Sequence, residues 1–403
     1  MKVPEPWLKV TEMSELTEKD ARYVANTYGR APVEVAFGKG SVITDFSGKE
    51  YIDLGSGIAV NSFGVADDVW ISAVYEQLKK VQHASNLYYT EPCVRLAETL
   101  CKRTGMKKVF FGNSGAGANE CAIKTARKYA AEHKDPSYYT IITLKNSFHG
   151  RTITTLAATG QDVFHQSFTP LTEGFVYAEA NDLDSVKKLV SENKVAGIMI
   201  ECVQGEGGVH VLEDSFVKGI AEICKAEDII FIVDEVQTGN GRCGALYAYM
   251  NYGVMPDIVT TAKGLGGGLP VGACLFGEKT EFVLRAGDHG STFGGNPAAA
   301  AGALSIINRI DDALLAEIKA KGQYIVDELT GAKGVESVSG VGLILGIKPT
   351  RPLADVINDC FAAGLICLTA KDKVRLLPAL NIPFETLKKA VSILKEVLGR
   401  DTA

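Results

Sequence analysis

Asp234 and Lys263 are the two residues whose types and settings could do chemistry together. Asp234 closes the apolar run Ile229–Val233, which is β-branched and aromatic throughout. So short an apolar run reads as a strand buried on both faces of a parallel sheet. An acid at its carboxyl end lies where open α/β sheets bind ligands. Lys263 ends a second run, Asp257–Ala262, and Gly264, Gly266, Gly267 and Gly268 follow it. A lysine between a buried strand and a flexible glycine turn can approach another group closely. Desolvation there would lower its pKa and make the amine nucleophilic.

An amine and an acid on two strand ends suit pyridoxal phosphate. The lysine condenses with the aldehyde, and the acid keeps the pyridine nitrogen protonated so that the ring accepts electrons. On these two residues alone an ordinary ion pair between neighbouring strand ends stays equally open. A nicotinamide dehydrogenase is a further reading, with the Gly112–Gly117 turn holding a dinucleotide. Against it, no GxGxxG pattern follows the strand.

These residues need a frame to hold them. From about residue 107 to 277 strand and helix patterns alternate, which predicts a doubly wound, mostly parallel sheet. Lys107–Phe111 reads as a strand, then Gly112-Asn-Ser-Gly-Ala-Gly-Ala118 as a turn, then Asn119–His133 as a helix. A glycine-rich turn at a helix N-terminus is an anion site, because free amides and the helix dipole face the charge. Tyr139–Leu144 is a strand followed by Phe148-His-Gly-Arg151, an aromatic face and a guanidinium fork suited to a flat cofactor and a carboxylate. His149 is read as a structural hydrogen bonder. Val195–Val203 is a strand that carries Glu201, and Gln204-Gly-Glu-Gly-Gly208 turns the chain. Arg375 sits in the apolar stretch VRLLPAL, so it should be partly buried and paired. Before this frame comes a small N-terminal meander, and after it a small α+β region.

The chain has 403 residues, too long for one ordinary core and suited to two domains. A net charge of −6 offers no electrostatic attraction to nucleic acid or an anionic membrane. No apolar run reaches the length that spans a bilayer. The start, MKVPEPWLKV, lacks a secretory h-region, so a cytoplasmic location is expected. The nine cysteines are odd in number and scattered, with no CxxC, which predicts buried free thiols rather than disulfides or zinc. The six histidines include no HxxxH pair, so no metal site is expected.

DEVQTGNGRCG followed by AKGLGGGLPVGA, together with NSGAGANE, FHGRT and GSTFGGNP, resembles the class III aminotransferases, a family of fold-type I pyridoxal phosphate enzymes. The resemblance runs roughly from Tyr28 to Leu387. It implies an N-terminal segment (1–60) packing with a small C-terminal α+β domain (298–403), around a large cofactor-binding domain (61–297). It implies that Lys263 carries pyridoxal 5′-phosphate and Asp234 meets its pyridine nitrogen. Phe148 and Val236 would cover the two ring faces and Gln237 would bond the 3′-oxygen. Gly115 and Ala116 would donate amides to the phosphate. Thr292 would reach the phosphate of the other subunit, and Ser291 would border that neighbour's substrate, so a homodimer is implied. Arg151 would take a carboxylate of both substrates and Arg375 the second carboxylate of 2-oxoglutarate, with Glu201 pairing Arg375 in its absence. The donor implied is N2-acetylornithine, with ornithine, 4-aminobutyrate and succinyldiaminopimelate as alternatives. The chain departs from the family pattern at Gly117, usually Glu, and at Phe63–Trp70, usually Gly-His-x-His-Pro.

Overall fold

The computed structural model describes residues 14–401. The expectations for 1–13 and 402–403 lie outside the described residues. Seven strands form the main sheet: β1 (Lys108–Gly112), β2 (Thr140–Leu144), β3 (Phe175–Ala178), β4 (Val195–Ile200), β5 (Ile230–Asp234), β6 (Ile258–Thr261) and β7 (Gly272–Phe276). Their order across the sheet is β1-β7-β6-β5-β4-β2-β3. β7 is antiparallel to both of its neighbours, while β6, β5, β4, β2 and β3 pair in parallel. The sheet is therefore mostly parallel, in keeping with the class expected from the alternating pattern.

Continuous apolar runs form these strands because both faces are covered. Every residue of β2, β4, β5, β6 and β7 is buried. Side chains alternate between two core layers at a period of two. Ile230 and Ile232 of β5 face Cys121, Ala122 and Ala126 of the Gly115–His133 helix. Phe231 and Val233 face the larger core, with Phe216, Val217 and Ile220 of the Asp214–Ala226 helix. Small residues on the first helix let it lie close to the sheet, which is why an Ala-rich stretch is needed there.

Two local differences from the sequence reading have physical reasons. The helix expected from Asn119 begins at Gly115, because the Ser114 side chain accepts from Gly117 N–H and caps it. The strand expected over Val195–Val203 ends at Ile200, and Val203–Gln204 turns instead into a two-residue hairpin with His210–Val211.

The N-terminal meander comprises Val35–Lys39, Val42–Asp45 and Glu50–Asp53, and Leu365–Ile366 adds to it in parallel beside Glu50–Asp53. The two ends of the chain thus share one sheet. A second four-stranded antiparallel sheet carries Arg375 on the strand Lys373–Leu376. Among the described residues no helix is long and apolar enough to cross a membrane. The nine cysteines are free thiols, seven of them buried and Cys93 and Cys101 half-buried.

Candidate active site

The carboxyl ends of β1, β2, β4 and β5, and the turn after β6, open on one cavity of about 440 Å³. Each strand delivers its chemistry within a few residues of its last hydrogen-bonded position. The cavity is lined by Gly115 and Ala116 after β1, Phe148 and Arg151 after β2, Glu201 after β4, Asp234, Val236 and Gln237 from β5, and Lys263 after β6. Ser291, Thr292 and Arg375 are not among its lining residues.

Asp234 is buried and its carboxylate is fixed from three sides. Its Oδ2 accepts from Asn119 Nδ2 at 2.7 Å and from His149 Nδ1 at 2.8 Å. Its Oδ1 accepts from Val236 N–H at 2.9 Å. Asn119 is held in turn, since its Oδ1 accepts from Thr260 Oγ1 at 2.6 Å. The imidazole must donate here, because an ionised carboxylate only accepts. His149 is thus a structural hydrogen bonder for the acid. Asn119 escaped the sequence reading. Its signal was a poor helix former on the buried face of an Ala-rich helix, where a polar side chain needs a partner.

At the helix N-terminus Ser114 occupies Gly117 N–H through its side chain and Ala118 N–H through its carbonyl. The first amides of a helix have no intrahelical partner, so those of Gly115 and Ala116 remain to serve a ligand. Gly115 is required by contact: an added Cβ would lie 2.6 Å from Val236 Cγ1. With Gly117 in place of an acid, the first turn carries no carboxylate to compete with an anion.

Lys263 is half-buried. Burial drives its pKa below the ordinary lysine value, and Arg375 adds to this, while the carboxylates of Glu206, Asp234 and Glu201 oppose it. Two acids share this neighbourhood and differ in state. Burial, reinforced by the nearby Asp234 charge, pushes the Glu201 carboxyl well up. Burial would also raise Glu206, but the charge and hydrogen bond of Arg375, with Lys263 nearby, hold it below the usual carboxylate range.

The partner of Arg375 is a correction to the sequence reading. Arg375 pairs with Glu206 at 2.7 Å, not with Glu201. Its Nη1 also donates to Gln237 Oε1 at 3.1 Å, and Gln237 Nε2 donates to Glu206 at 3.3 Å. Glu201 instead accepts the Phe148 backbone N–H at 3.0 Å. The chain bends just after β4, leaving Glu201 at the strand end, and the following hairpin carries Glu206 to the Arg375 strand. The acid inside Gln204-Gly-Glu-Gly-Gly208 was the available signal, hidden by reading that stretch as a plain turn.

The Arg151 guanidinium is exposed and lies over the Phe148 and Phe164 rings at 5.6 and 4.7 Å. It has no ion-pair partner among the described residues. Thr292 is exposed on the single chain. It does not cap the helix Pro297–Ile307, since Asn296 accepts both Ala298 and Ala299 amides. Ser291 Oγ accepts from Gly294 N–H at 2.9 Å.

The profile of the aminotransferase class-III family matches residues 23–398. The chain belongs to the class III aminotransferases. Among curated relatives, the acetylornithine aminotransferase of Haemophilus ducreyi is 47% identical over 387 residues, covering 96% of this chain and 98% of that protein. The acetylornithine aminotransferase of Aquifex aeolicus is 44% identical over 378 residues, covering 93% and 100%. Among solved structures, the ornithine aminotransferase of Toxoplasma gondii superposes with a TM-score of 0.92 at 29% identity, over 97% of this chain and 96% of that one. The N-acetylornithine aminotransferase of Stenotrophomonas maltophilia gives 0.81 at 33% identity, over 94% and 97%.

This class III aminotransferase is a transaminase that uses pyridoxal 5′-phosphate. Its cavity fits the cofactor. Two unpaired amides could take an anion, a buried carboxylate with an oriented donor set could hold a protonated ring nitrogen, and a lysine of lowered pKa could condense with an aldehyde.

The opposite states of the two acids give a pH signature. A lowered carboxyl contributes stability above its unfolded value, near the usual 4.5, and loses it as pH falls through the folded value. A raised carboxyl works the other way, and stability declines as pH climbs above 4.5. Glu206→Gln should cost about 1–3 kcal/mol at pH 7, below the ~3–5 of a fully buried pair because the Glu206 side chain keeps 29% exposure. That cost should fade below pH 4.5. Glu201→Gln, which can still accept from Phe148, should raise stability at pH 8 and lose the advantage towards pH 4.5. Thermal midpoints across pH measure both. Shifts of the same sign at pH 8 would contradict the assignment.

Proposed function

We propose that this chain transfers the δ-amino group of N2-acetylornithine to 2-oxoglutarate in a ping-pong cycle. The observation that carries the reading is a pair of arginines in unequal states near one amine. Arg151 is unpaired at the cavity, and Arg375 is masked by Glu206. A donor with its carboxylate far from the reacting amine needs only the open site. A 2-oxo acid, with one carboxylate beside the reacting carbon, needs both. The names of the Haemophilus ducreyi and Aquifex aeolicus relatives support the acetylated donor. The likeness to ornithine aminotransferases keeps unacylated ornithine as the rival.

Bound pyridoxal phosphate supplies an aldehyde that takes up the amine and a ring that accepts electrons. Lys263 would hold the cofactor and, once freed, move the proton at the amine-bearing carbon with its uncharged Nζ. Asp234 would hold the pyridine nitrogen's proton, its orientation set by Asn119 and His149. Gly115 and Ala116 would take the phosphate, Phe148 and Val236 the ring faces. Gln237 would serve the 3′-oxygen while also bonding Arg375. Arg375 would bind the second carboxylate once Glu206 moves off it. Its Nε, buried with no partner among the described residues, leaves a donor that a carboxylate can satisfy.

Two copies would share their sites, with Thr292 reaching the neighbour's cofactor phosphate and Ser291 its substrate. The support is an exposed apolar surface beside them: Leu87, Tyr88, Tyr89 and Phe293 are 85, 71, 99 and 59% exposed. Such patches mark interfaces.

The direct test is an assay of each ω-amine with 2-oxoglutarate, alongside borohydride trapping of the cofactor. Acetylornithine should exceed ornithine, 4-aminobutyrate and succinyldiaminopimelate in kcat/KM by at least about tenfold, the range one well-placed recognition contact supplies. The trapped cofactor should map to Lys263, and Lys263→Ala should abolish turnover. A stronger response to another amine would replace the donor, and a trapped peptide elsewhere would remove Lys263.

Arg375→Ala should slow the single-turnover reaction with glutamate by roughly a hundredfold, the loss of a charged bond of ~1.5–3 kcal/mol, while largely sparing acetylornithine. Arg151→Ala should slow both. Equal losses on both substrates in Arg375→Ala would refute the division.

Thr292→Ala should weaken cofactor binding, and mixing its subunits with inactive Lys263→Ala subunits should raise activity above that of either parent, because each hybrid then holds one site free of both changes. No activity above that of the parents would place Thr292 in its own chain's site or outside the chemistry.

A further inference from the structure

Lys263 stands in a backbone conformation that side chains avoid. Its φ is +43°, in the left-handed region, where a residue with a Cβ stays only if its surroundings hold it. Three side chains from three separate stretches donate to the backbone around it. Asn240 Nδ2 donates to the Ala262 carbonyl at 3.2 Å and to Thr261 Oγ1 at 2.9 Å. Ser62 Oγ donates to the Gly264 carbonyl at 2.9 Å. Trp70 Nε1 donates to the Gly266 carbonyl at 3.0 Å. Ser62 and Asn240 are each 2% exposed, so water does not compete for their bonds.

The fit around the turn is close. A Cβ added at Gly264 would lie 2.7 Å from Ser62 Oγ, and one at Gly267 would lie 3.0 Å from Trp70 Nε1. The turn closes on itself through Leu265 N–H to the Ala262 carbonyl at 2.9 Å and Gly266 N–H to the Lys263 carbonyl at 3.0 Å. None of the three donors lines the cavity.

We propose that Ser62, Trp70 and Asn240 form a backbone clamp that holds Lys263 in its left-handed conformation and so aims its amine into the cavity. They are positioning residues, acting through the carbonyls on either side of Lys263. This inference rests on Lys263 being the residue that carries the cofactor. The reason is geometric. A side chain leaves the backbone along the Cα–Cβ bond, and relaxing φ to a negative value turns that bond relative to the strand end. The lysine arm would then start in another direction, and its amine would visit the reactive position only part of the time. The clamp also gives a role to the stretch Phe63–Trp70, where the chain departs from its family's usual pattern. Trp70 sits in the first turn of the helix Asp68–Leu78, whose N-cap Asp67 accepts the Trp70 amide at 3.0 Å.

The test follows cofactor capture by the full-length apoenzyme. The Lys263 amine condenses with the aldehyde of pyridoxal phosphate: nitrogen forms a double bond to the carbonyl carbon, and the carbonyl oxygen leaves with two protons as one water. Stopped-flow absorbance reads the rate, and borohydride with peptide mapping reads the position. Trp70→Phe keeps an aromatic ring against Gly267 but loses the N–H, and Ser62→Ala loses the hydroxyl. Each should slow capture by roughly tenfold, the kinetic equivalent of one net hydrogen bond. In a Lys263→Ala background, where only non-covalent binding remains, neither change should alter the cofactor Kd.

Capture at the parental rate in both variants overturns the clamp. A weakened Kd in the Lys263→Ala background also overturns it, since the substitutions would then act on the cavity and not on the lysine. Trapping at a residue other than Lys263 in the parent enzyme overturns the underlying reading instead, and the peptide map separates that failure from the first two.

Discussion

A lysine amine attacks a carbonyl only while it is unprotonated, yet water keeps an ordinary lysine charged at neutral pH. The rest of this structure depends on how that conflict is resolved at Lys263. Withdrawing the amine from water lowers its pKa, and Arg375 pushes the same way, while Glu206, Asp234 and Glu201 pull it back. Three carboxyl groups around one amine would ordinarily keep it charged. Here Glu206 is spent on Arg375, Asp234 is occupied by Asn119, His149 and the Val236 amide, and burial favours the neutral form of Glu201. The acids are present, but each is engaged elsewhere.

That arrangement is possible because a parallel sheet brings several strand ends to one edge. Strands buried on both faces offer no solvent-facing side for chemistry, so the chemistry gathers where the strands stop. Each strand end is rigid up to its last hydrogen bond, and the side chains just beyond inherit that precision. The Gly115–His133 helix uses the same sheet differently. Its small residues pack on β5 and its neighbours, its Asn119 reaches Asp234, and its first amides face the cavity. One element thus packs the sheet, orients the acid and opens two amides to the cavity.

Arg375 shows how a second region joins the site. It lies on a strand of another sheet and meets the cavity residues through Glu206 and Gln237. An arginine buried without a counter-charge would be costly. The hairpin after β4 brings the acid that offsets this.

Much of this was legible in the sequence, and the boundary is physical. The apolar runs ending at Asp234 and Ala262, the glycine-rich turn before a helix, and Phe148-His-Gly-Arg151 are local patterns, so those two strand ends, the turn and the lysine beyond could be placed from order and residue type alone. Burial of the runs was also local information, since an uninterrupted apolar strand needs cover on both faces. Tertiary structure decided which acid meets Arg375, what turns Asp234, and what holds the backbone of Lys263. Glu206 and Arg375 are 169 residues apart, Asn119 and Asp234 are 115, and Trp70 and Gly266 are 196. A hydrogen bond between such partners leaves no periodicity in the chain. It exists only once the sheet has set the distance, and a shift of one strand by a single residue would remove it.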